Sequence, residues 1–300
     1  MNNFLDSLTI SESKKGRSSR SSFFTFLRLT GIFPCLTLIC LIAGIGLPLS
    51  GFTQNHSGNV CGAENRVFIA GEKVEYKIYY TLAGVYIHSG DVSFSARLEQ
   101  FNGKTVYHLI AEGKTLPKFD NFYKVRDKYE SFIDTSTLRP YKFTRTVLEG
   151  KTHMYESINF DQSAGTAITD SGVYKVSECI HDVLSAMYYT RNLNFDQMHT
   201  GDKIQFTMFL GNKAFPSYIR YLGKEIIKTR YGQFHAIKFK PLLIKGTMFE
   251  DGEKMTVWVS DDANHLPLRV ESPILVGKVK ADMMDAQGLR MEMKSLINRR

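Results

Sequence analysis

The chain has 300 residues, 43% of them hydrophobic and 12% aromatic, with four cysteines and a formal net charge of +8. That length supports one large domain or two small ones with ample core. The positive balance is mild, and Lys and Arg alternate with acids, as in Lys73-Val-Glu75 and Arg126-Asp-Lys128, which leaves no basic stripe for a nucleic acid.

The first predicted element is a leader. Lys14, Lys15, Arg17, Arg20 and Arg28 precede an uncharged apolar run from Leu29 to Leu49. Gly31 and Pro34 interrupt its start, and Gly44, Gly46 and Pro48 its end, so the continuous core is Cys35 to Ile45. That length suits a signal peptide better than a membrane span. Gly51-Phe-Thr53 places small residues ahead of Gln54 as a cleavage site, so residues 1–53 read as a signal peptide, with a retained anchor as the other reading. Small residues are missing ahead of Cys40 and Cys61, which argues against a lipid anchor. Cys35 and Cys40 leave with the leader. Cys61 and Cys179 remain, and an exported pair invites a disulfide, against the alternative of two separate buried thiols.

Residues 54–66 read as a flexible lead-in, residues 67–290 as a single β-rich domain, and residues 291–300 as a C-terminal tail. From Val67 onward the apolar period is two. Val74, Tyr76 and Ile78 alternate with Glu75 and Lys77, Val92, Phe94 and Ala96 with Ser93 and Ser95, and Ile204, Phe206 and Met208 with Gln205 and Thr207. Such alternation predicts half-buried antiparallel strands. Asn102-Gly103, Glu149-Gly150, Ser171-Gly172, Tyr231-Gly232 and Asp251-Gly252 sit at hairpin spacing between them. One helix is predicted over 182–191, opened by Asp182 as N-cap and closed by Arg191, and a shorter helical turn over Pro117 to Tyr123. At about three turns the longer helix cannot stand alone and must pack on a sheet. The predicted fold is therefore mainly β: a strongly curved antiparallel sheet or open barrel with one packed helix.

An internal echo accompanies this pattern. Tyr129 to Asp134, a polar turn, and Leu138-Arg-Pro140 resemble Met255 to Ser260, a polar turn, and Leu266-Pro267. Proline suits the first residue of a strand, where no ladder donor is lost. Two similar halves joined by the helix at 182–191 would explain the echo, as would chance similarity of hairpins.

The segments Gly71-Glu-Lys-Val-Glu-Tyr76, Val125-Arg-Asp-Lys-Tyr-Glu130 with Leu138-Arg-Pro140, Asp182 to Tyr189, Tyr231-Gly-Gln-Phe234 and Val257-Trp-Val-Ser-Asp261 with Leu266-Pro267 resemble an exported bacterial family known as domain of unknown function 3108. The likeness runs from about Phe68 to Leu289. It implies a curved antiparallel sheet around an apolar interior and an address in the periplasm or cell envelope of a Gram-negative bacterium, but no activity and no catalytic residues. The tryptophan strand, acidic turn and Leu-Pro hairpin are similar to hairpins of periplasmic lipoprotein-carrier proteins, a likeness of fold alone.

Catalytic chemistry is not legible. Ser260, Asp261, Asp262 and His265 fall within one predicted turn, and no Gly-x-Ser-x-Gly elbow is present. The eight histidines form no ligand-spaced pair, so no metal is expected, and no phosphate loop opens a helix, so neither a nucleotide nor any other cofactor is expected. Asp127, Glu130, Glu250 and Asp251 are the carboxylates that a glycan-acting enzyme would draw on. Aromatics offer the stronger signal: 15 Tyr and 21 Phe, several of them on both faces of a strand. A strand that is apolar on both faces is covered twice or lines a cavity. The expected function is non-enzymatic binding of a lipid or other hydrophobic or amphiphilic ligand, with Tyr79, Phe132, Met187, Tyr188, Phe209 and Trp258 lining the cavity. A module that binds envelope polysaccharide or an outer-membrane or other envelope protein partner is the second reading, and a glycan-acting enzyme the third. Pro241 to Gly246 and Ser272 to Gly277 are read as an apolar rim, lid, or membrane- or partner-facing surface.

Overall fold

The computed structural model describes residues 63–82, 84–243, 252–274 and 277–299. The leader, Cys35, Cys40, Cys61, Glu250 and Asp251 lie outside them, as do parts of the two apolar segments just named. The described residues belong to one compact unit, Gln54–Arg300.

Strands dominate. In chain order they are β1 (Lys73–Leu82), β2 (Val85–Phe101), β3 (Lys104–Thr115), β4 (Arg126–Asp134), β5 (Pro140–Glu149), β6 (Thr152–Asp161), β7 (Thr166–Thr169) and β8 (Gly172–Lys175). After them come β9 (Ile180–His181), β10 (Lys203–Leu210), β11 (Lys213–Lys228), β12 (Gly232–Pro241), β13 (Thr256–Ser260), β14 (Pro267–Pro273), β15 (Lys278–Gln287) and β16 (Leu296–Arg299). The two helices are α1 (Pro117–Asp120) and α2 (Val183–Thr190). All strands belong to one sheet, ordered β8-β7-β6-β5-β4-β3-β2-β1-β15-β14-β13-β12-β11-β10-β9, with β16 paired to β12. Only β9 runs parallel to its neighbour, β10.

The hairpin turns follow their chemistry. Asn102 (φ 50°) and Gly103 (φ 76°) are both left-handed between β2 and β3, as a tight primed turn requires. The echo is local and real. β4–β5 and β13–β14 each bulge after an aromatic, at Phe132/Ile133 and Trp258/Val259. Each then pairs a proline with the next residue, and a left-handed residue stands two before that proline, Leu138 (φ 58°) and His265 (φ 42°).

Helix α2 packs on β3, β4, β9 and β10. Its start is fixed by a reciprocal cap: Asp182 Oδ1 accepts from the Leu184 and Ser185 amides, and Ser185 Oγ accepts from the Asp182 amide. The core around it joins Phe68, Leu109, Ile133, Phe143, Ile158, Ile180, Leu184, Tyr188 and Phe209. Two further clusters gather around Phe234 and Leu266, and around Ile237 and Phe195.

The first and last strands of the sheet, β8 and β9, do not pair. Side chains close the gap near them: Gly211 donates to Glu156 Oε1 at 2.8 Å, Asn212 Nδ2 to Ser171 Oγ at 3.1 Å, and Phe160 and Tyr174 pack on Phe209.

Where α2 ends, a buried polar hub begins. Arg191 is 4% exposed and Glu72 is 1% exposed; their side chains pair through Nη1–Oε1 (2.6 Å) and Nη2–Oε2 (2.9 Å). Arg191 Nε and Nη2 also donate to the Asn264 carbonyl, and its guanidinium lies over the rings of Phe68 and Tyr188. Asn264 in turn holds Met291 through both its amide and its carbonyl, and Asp262 accepts from the Ser295 amide and hydroxyl. Residues 291–299 are therefore not a tail. Those bonds and the β16–β12 pairing build them into the fold.

A buried bidentate pair tolerates loss of both partners better than loss of one, because a lone buried charge remains uncompensated. Glu72→Gln and Arg191→Met are each expected to lower unfolding stability by about 3–5 kcal/mol. The double variant is expected to lose far less than the sum. Urea denaturation of all four proteins checks this, and strict additivity would refute it.

Candidate functional site

The six residues predicted to line a cavity do not converge. Met187, Tyr188 and Phe209 come together in the core around α2, where Tyr188 meets Phe68 edge-on at 4.8 Å. Phe132 lies on the other side of β4 from fully buried Ile133, stacked on His108 at 4.1 Å and on Phe101 at 5.0 Å. Tyr79 is covered by the Arg230 guanidinium. Trp258 donates through Nε1 to Glu225 at 2.5 Å and sits beneath Lys238.

Two polar clusters stand out, one enclosed and one half-buried. At the start of α2, Ser131 donates to Asp182 Oδ2 at 2.6 Å, and His181 Nδ1 lies 3.2 Å from Ser185 Oγ. All four residues are fully buried. Asp182 bonds Ser131 and the helix amides rather than His181, so this is a cap and not a nucleophilic relay. His181 Nε2 meets no hydrogen-bond partner among the described residues. The second cluster is a carboxyl pair. Burial pushes both Asp127 and Glu149 up from the usual carboxylate value, and for Glu149 the neighbouring Asp127 charge adds to the push. Asp127 also accepts from the Leu148 amide, which ties β4 to β5.

The open site is elsewhere. A concavity of about 630 Å³ lies across β1–β4, bordered by Met284 of β15. Register places two rows of side chains in it. Glu75, Ser93, Glu112 and Lys128 are successive cross-strand partners, and Lys77, Asp91, Lys114 and Arg126 form the next row. Several of these charges are already tied: Lys73 to Glu75, His88 to Asp91, Arg126 to Asp120, and Lys128 to Glu130. Among the described residues Lys77 and Lys114 make no ion pair, so the groove presents free positive charge. Its signal in the sequence is the spacing of charges by two on four neighbouring strands, which reads equally well as a solvated strand face.

Residues 75–284 match the model of a family described as a protein of unknown function, DUF3108. No curated protein matches the sequence. Among solved structures the chain is similar to a β-barrel-like protein of domain of unknown function DUF1849 from Brucella abortus, with TM-score 0.51 and 8% identity over 74% of this chain and 98% of that one. It is also similar to a Bacteroides fragilis protein with a YmcC-like fold, with TM-score 0.31 and 11% identity over 75% of this chain and 99% of that one. The first likeness shows the β-barrel-like fold.

The capped helix start carries a pH signature. Burial holds Asp182 up at about 6 against three donors that pull it down, and burial with the Arg139 charge pushes His181 down to about 4. Folded Asp182 keeps a proton that the unfolded chain releases, so this group's contribution falls as pH rises from about 4 to about 6. Folded His181 refuses a proton that the unfolded chain takes up, so its contribution falls as pH drops from about 6.5 to about 4. The two slopes oppose each other. Relative to wild type, Asp182→Asn is expected to make stability rise with pH across that window and His181→Phe to make it fall, each by about 1.4 kcal/mol per pH unit. Urea midpoints at several pH values within the window check this, and parallel profiles for all three proteins would refute it.

Proposed function

This chain belongs to the DUF3108 family of proteins of unknown function, and we propose that it is an exported, non-enzymatic binding module of the cell envelope whose partner is an anionic envelope polysaccharide held in the β1–β4 groove. The observation that carries this reading is the groove's balance of charge. Lys73, Lys77, Lys114, Arg126 and Lys128 stand against Glu75, Asp91, Glu112 and Asp127, and of these bases Lys77 and Lys114 make no ion pair among the described residues. An open, elongated, charged trough suits an extended polyelectrolyte better than a compact apolar ligand. The amphiphile reading of the interior draws no support from the core, where Phe68, Tyr188 and Phe209 pack against one another and charged hub residues sit beside them.

One observation supports a role without catalysis: the Ser131–Asp182–Ser185–His181 cluster is sealed from solvent. Export rests on the leader at 1–53, and with it goes a Cys61–Cys179 bridge. Cys179 is already partnered in the turn before β9, and Cys61 lies outside the described residues.

Affinity electrophoresis in gels containing polygalacturonate tests the groove, with dextran as the uncharged control. Wild type is expected to be retarded by polygalacturonate alone, and the retardation to weaken with salt. Lys77→Glu with Lys114→Glu is expected to weaken binding about tenfold, which corresponds to about 1.4 kcal/mol. Equal mobility of wild type in both gels would overturn the proposal. Separately, peptide mapping of the exported protein without reductant is expected to recover residues 61 and 179 on one cross-linked species; alkylation of both thiols without reduction would refute the bridge.

A further inference from the structure

A different surface carries a second inference, independent of the groove. The strand directions bring the β1–β2 tip, the β3–α1–β4 connection and the β5–β6 hairpin to one end of the sheet. Their contacts form a continuous edge: Leu116 donates to the Ser89 carbonyl at 2.9 Å, Gly150 donates to the Lys124 carbonyl at 2.8 Å, and Gly150 abuts the Tyr123 ring. These loops expose large apolar side chains to water. Phe122 is 80% exposed, Val85 59%, Tyr86 55% and Tyr123 47%, with Tyr155 beside them on β6 at 63%.

Lysines surround this apolar edge. Lys118 and Lys124 flank Phe122, Lys151 tops the β5–β6 turn, and Lys278 starts β15 opposite Thr81; all four are exposed. Lys280 Nζ lies over the Tyr86 ring at 5.2 Å. Of the nearby acids, Asp120 bonds Arg126 and Thr115, Asp91 bonds His88, and Asp127 and Glu149 stand near Tyr123, where burial favours their neutral forms. The exposed lysines therefore give the edge a net positive field around its aromatic side chains. Aromatic rings and lysines interleaved in this way match the boundary between lipid headgroups and acyl chains, and an anionic leaflet supplies the complementary charge.

We propose that this end of the sheet docks peripherally on an anionic lipid bilayer, with Phe122, Tyr123, Tyr86 and Val85 entering the interface and Lys118, Lys124, Lys151 and Lys278 meeting the headgroups. Val85 and Tyr86 open β2, and Phe122 and Tyr123 follow α1, so the apolar side chains come from two neighbouring segments that a soft, deformable surface accommodates. None of the described helices is long and apolar enough to cross a membrane.

The test uses a single reporter tryptophan in the full chain. Trp258→Phe removes the native one, and Phe122→Trp places the reporter at the docking edge. A second reporter, Ile226→Trp, stands at the opposite end of the sheet, where Ile226 is 54% exposed. With vesicles of phosphatidylglycerol and phosphatidylcholine, the reporter at position 122 is expected to shift to the blue and to be quenched by brominated acyl chains. The reporter at 226 and vesicles of phosphatidylcholine alone are expected to give no change. Lys118→Glu, Lys124→Glu and Lys151→Glu together are expected to abolish the shift at 122. An unchanged spectrum at 122, an equal shift at 226, or a shift that survives the three charge reversals would overturn the proposal. The two reporter sites, Phe122 and Ile226, are exposed, and Trp258→Phe is common to both reporter proteins, so the comparison between them isolates the docking edge.

Discussion

The Arg191–Glu72 pair is the constraint on which the rest of the fold depends. Two opposite charges removed from water cost several kcal/mol each, and only close geometry with every remaining donor satisfied offsets that cost. Both conditions are met. The guanidinium forks onto both carboxylate oxygens, gives its remaining directed bonds to the Asn264 carbonyl, and stacks over Phe68 and Tyr188. The pair also fixes where distant segments meet. His265 Nδ1 donates to the Arg191 carbonyl at 2.6 Å, so the end of α2 is held by the same turn that its guanidinium grips. Glu72 leads into β1, Asn264 lies in the β13–β14 turn, and Asn264 and Asp262 anchor residues 291–295. One buried charge pair thus links the helix to both ends of the described chain.

The hub and the cap divide the work of closing the sheet. A sheet this long has two free edges, each a template for unwanted pairing with another chain. Here the first edge is short, β8, and the last is shorter, β9. α2 packs on β3, β4, β9 and β10, fixed at its start by Asp182 bonded to Ser131 of β4 and at its end by Arg191. Phe209 of β10 then packs on Phe160 and Tyr174, which joins the two flanks without a backbone ladder. Closure by side chains tolerates a mismatch of register that hydrogen-bonded closure of a barrel does not.

Much of this was legible in residues close in sequence. The period of two, the Asn102-Gly103 turn, the Asp182 cap and the prolines that open β5 and β14 are local signals, and local physics decides them. The internal echo was legible for the same reason, since a bulge and a left-handed residue two before a proline are properties of one hairpin. Faces were less legible, because bulges reset the alternation. β1 shifts register against β2 between Ile78 and Tyr79, so both Tyr76 and Tyr79 end up buried despite a spacing of three. At Trp258 ordinary alternation holds: Val257 and Val259 enter the core around Phe195, while the indole on the other face reaches Glu225. The Glu72–Arg191 contact spans 119 residues, and no local pattern announces it. Residues 291–299 look like a tail for the same reason, as their partners are Asp262, Asn264 and β12.

The position of the buried charges also bears on where binding happens. An amphiphile carrier needs an apolar wall around an empty interior, yet the centre of this fold holds Glu72, Arg191, Asp182 and His181, each enclosed. Every one of those groups depends on bonds to its neighbours, so opening the interior around a ligand would expose unsatisfied polar atoms to apolar surroundings. The outer surface carries no such penalty. On β1–β4 charged side chains already stand in water, and at the adjoining loop end apolar side chains stand in water unsatisfied. Both surfaces gain on meeting a partner, the groove by exchanging counterions for fixed charge and the loop tips by leaving water. A core whose buried charges are paired or capped, with its binding surfaces displayed on one flank, is the arrangement of a module that binds from outside.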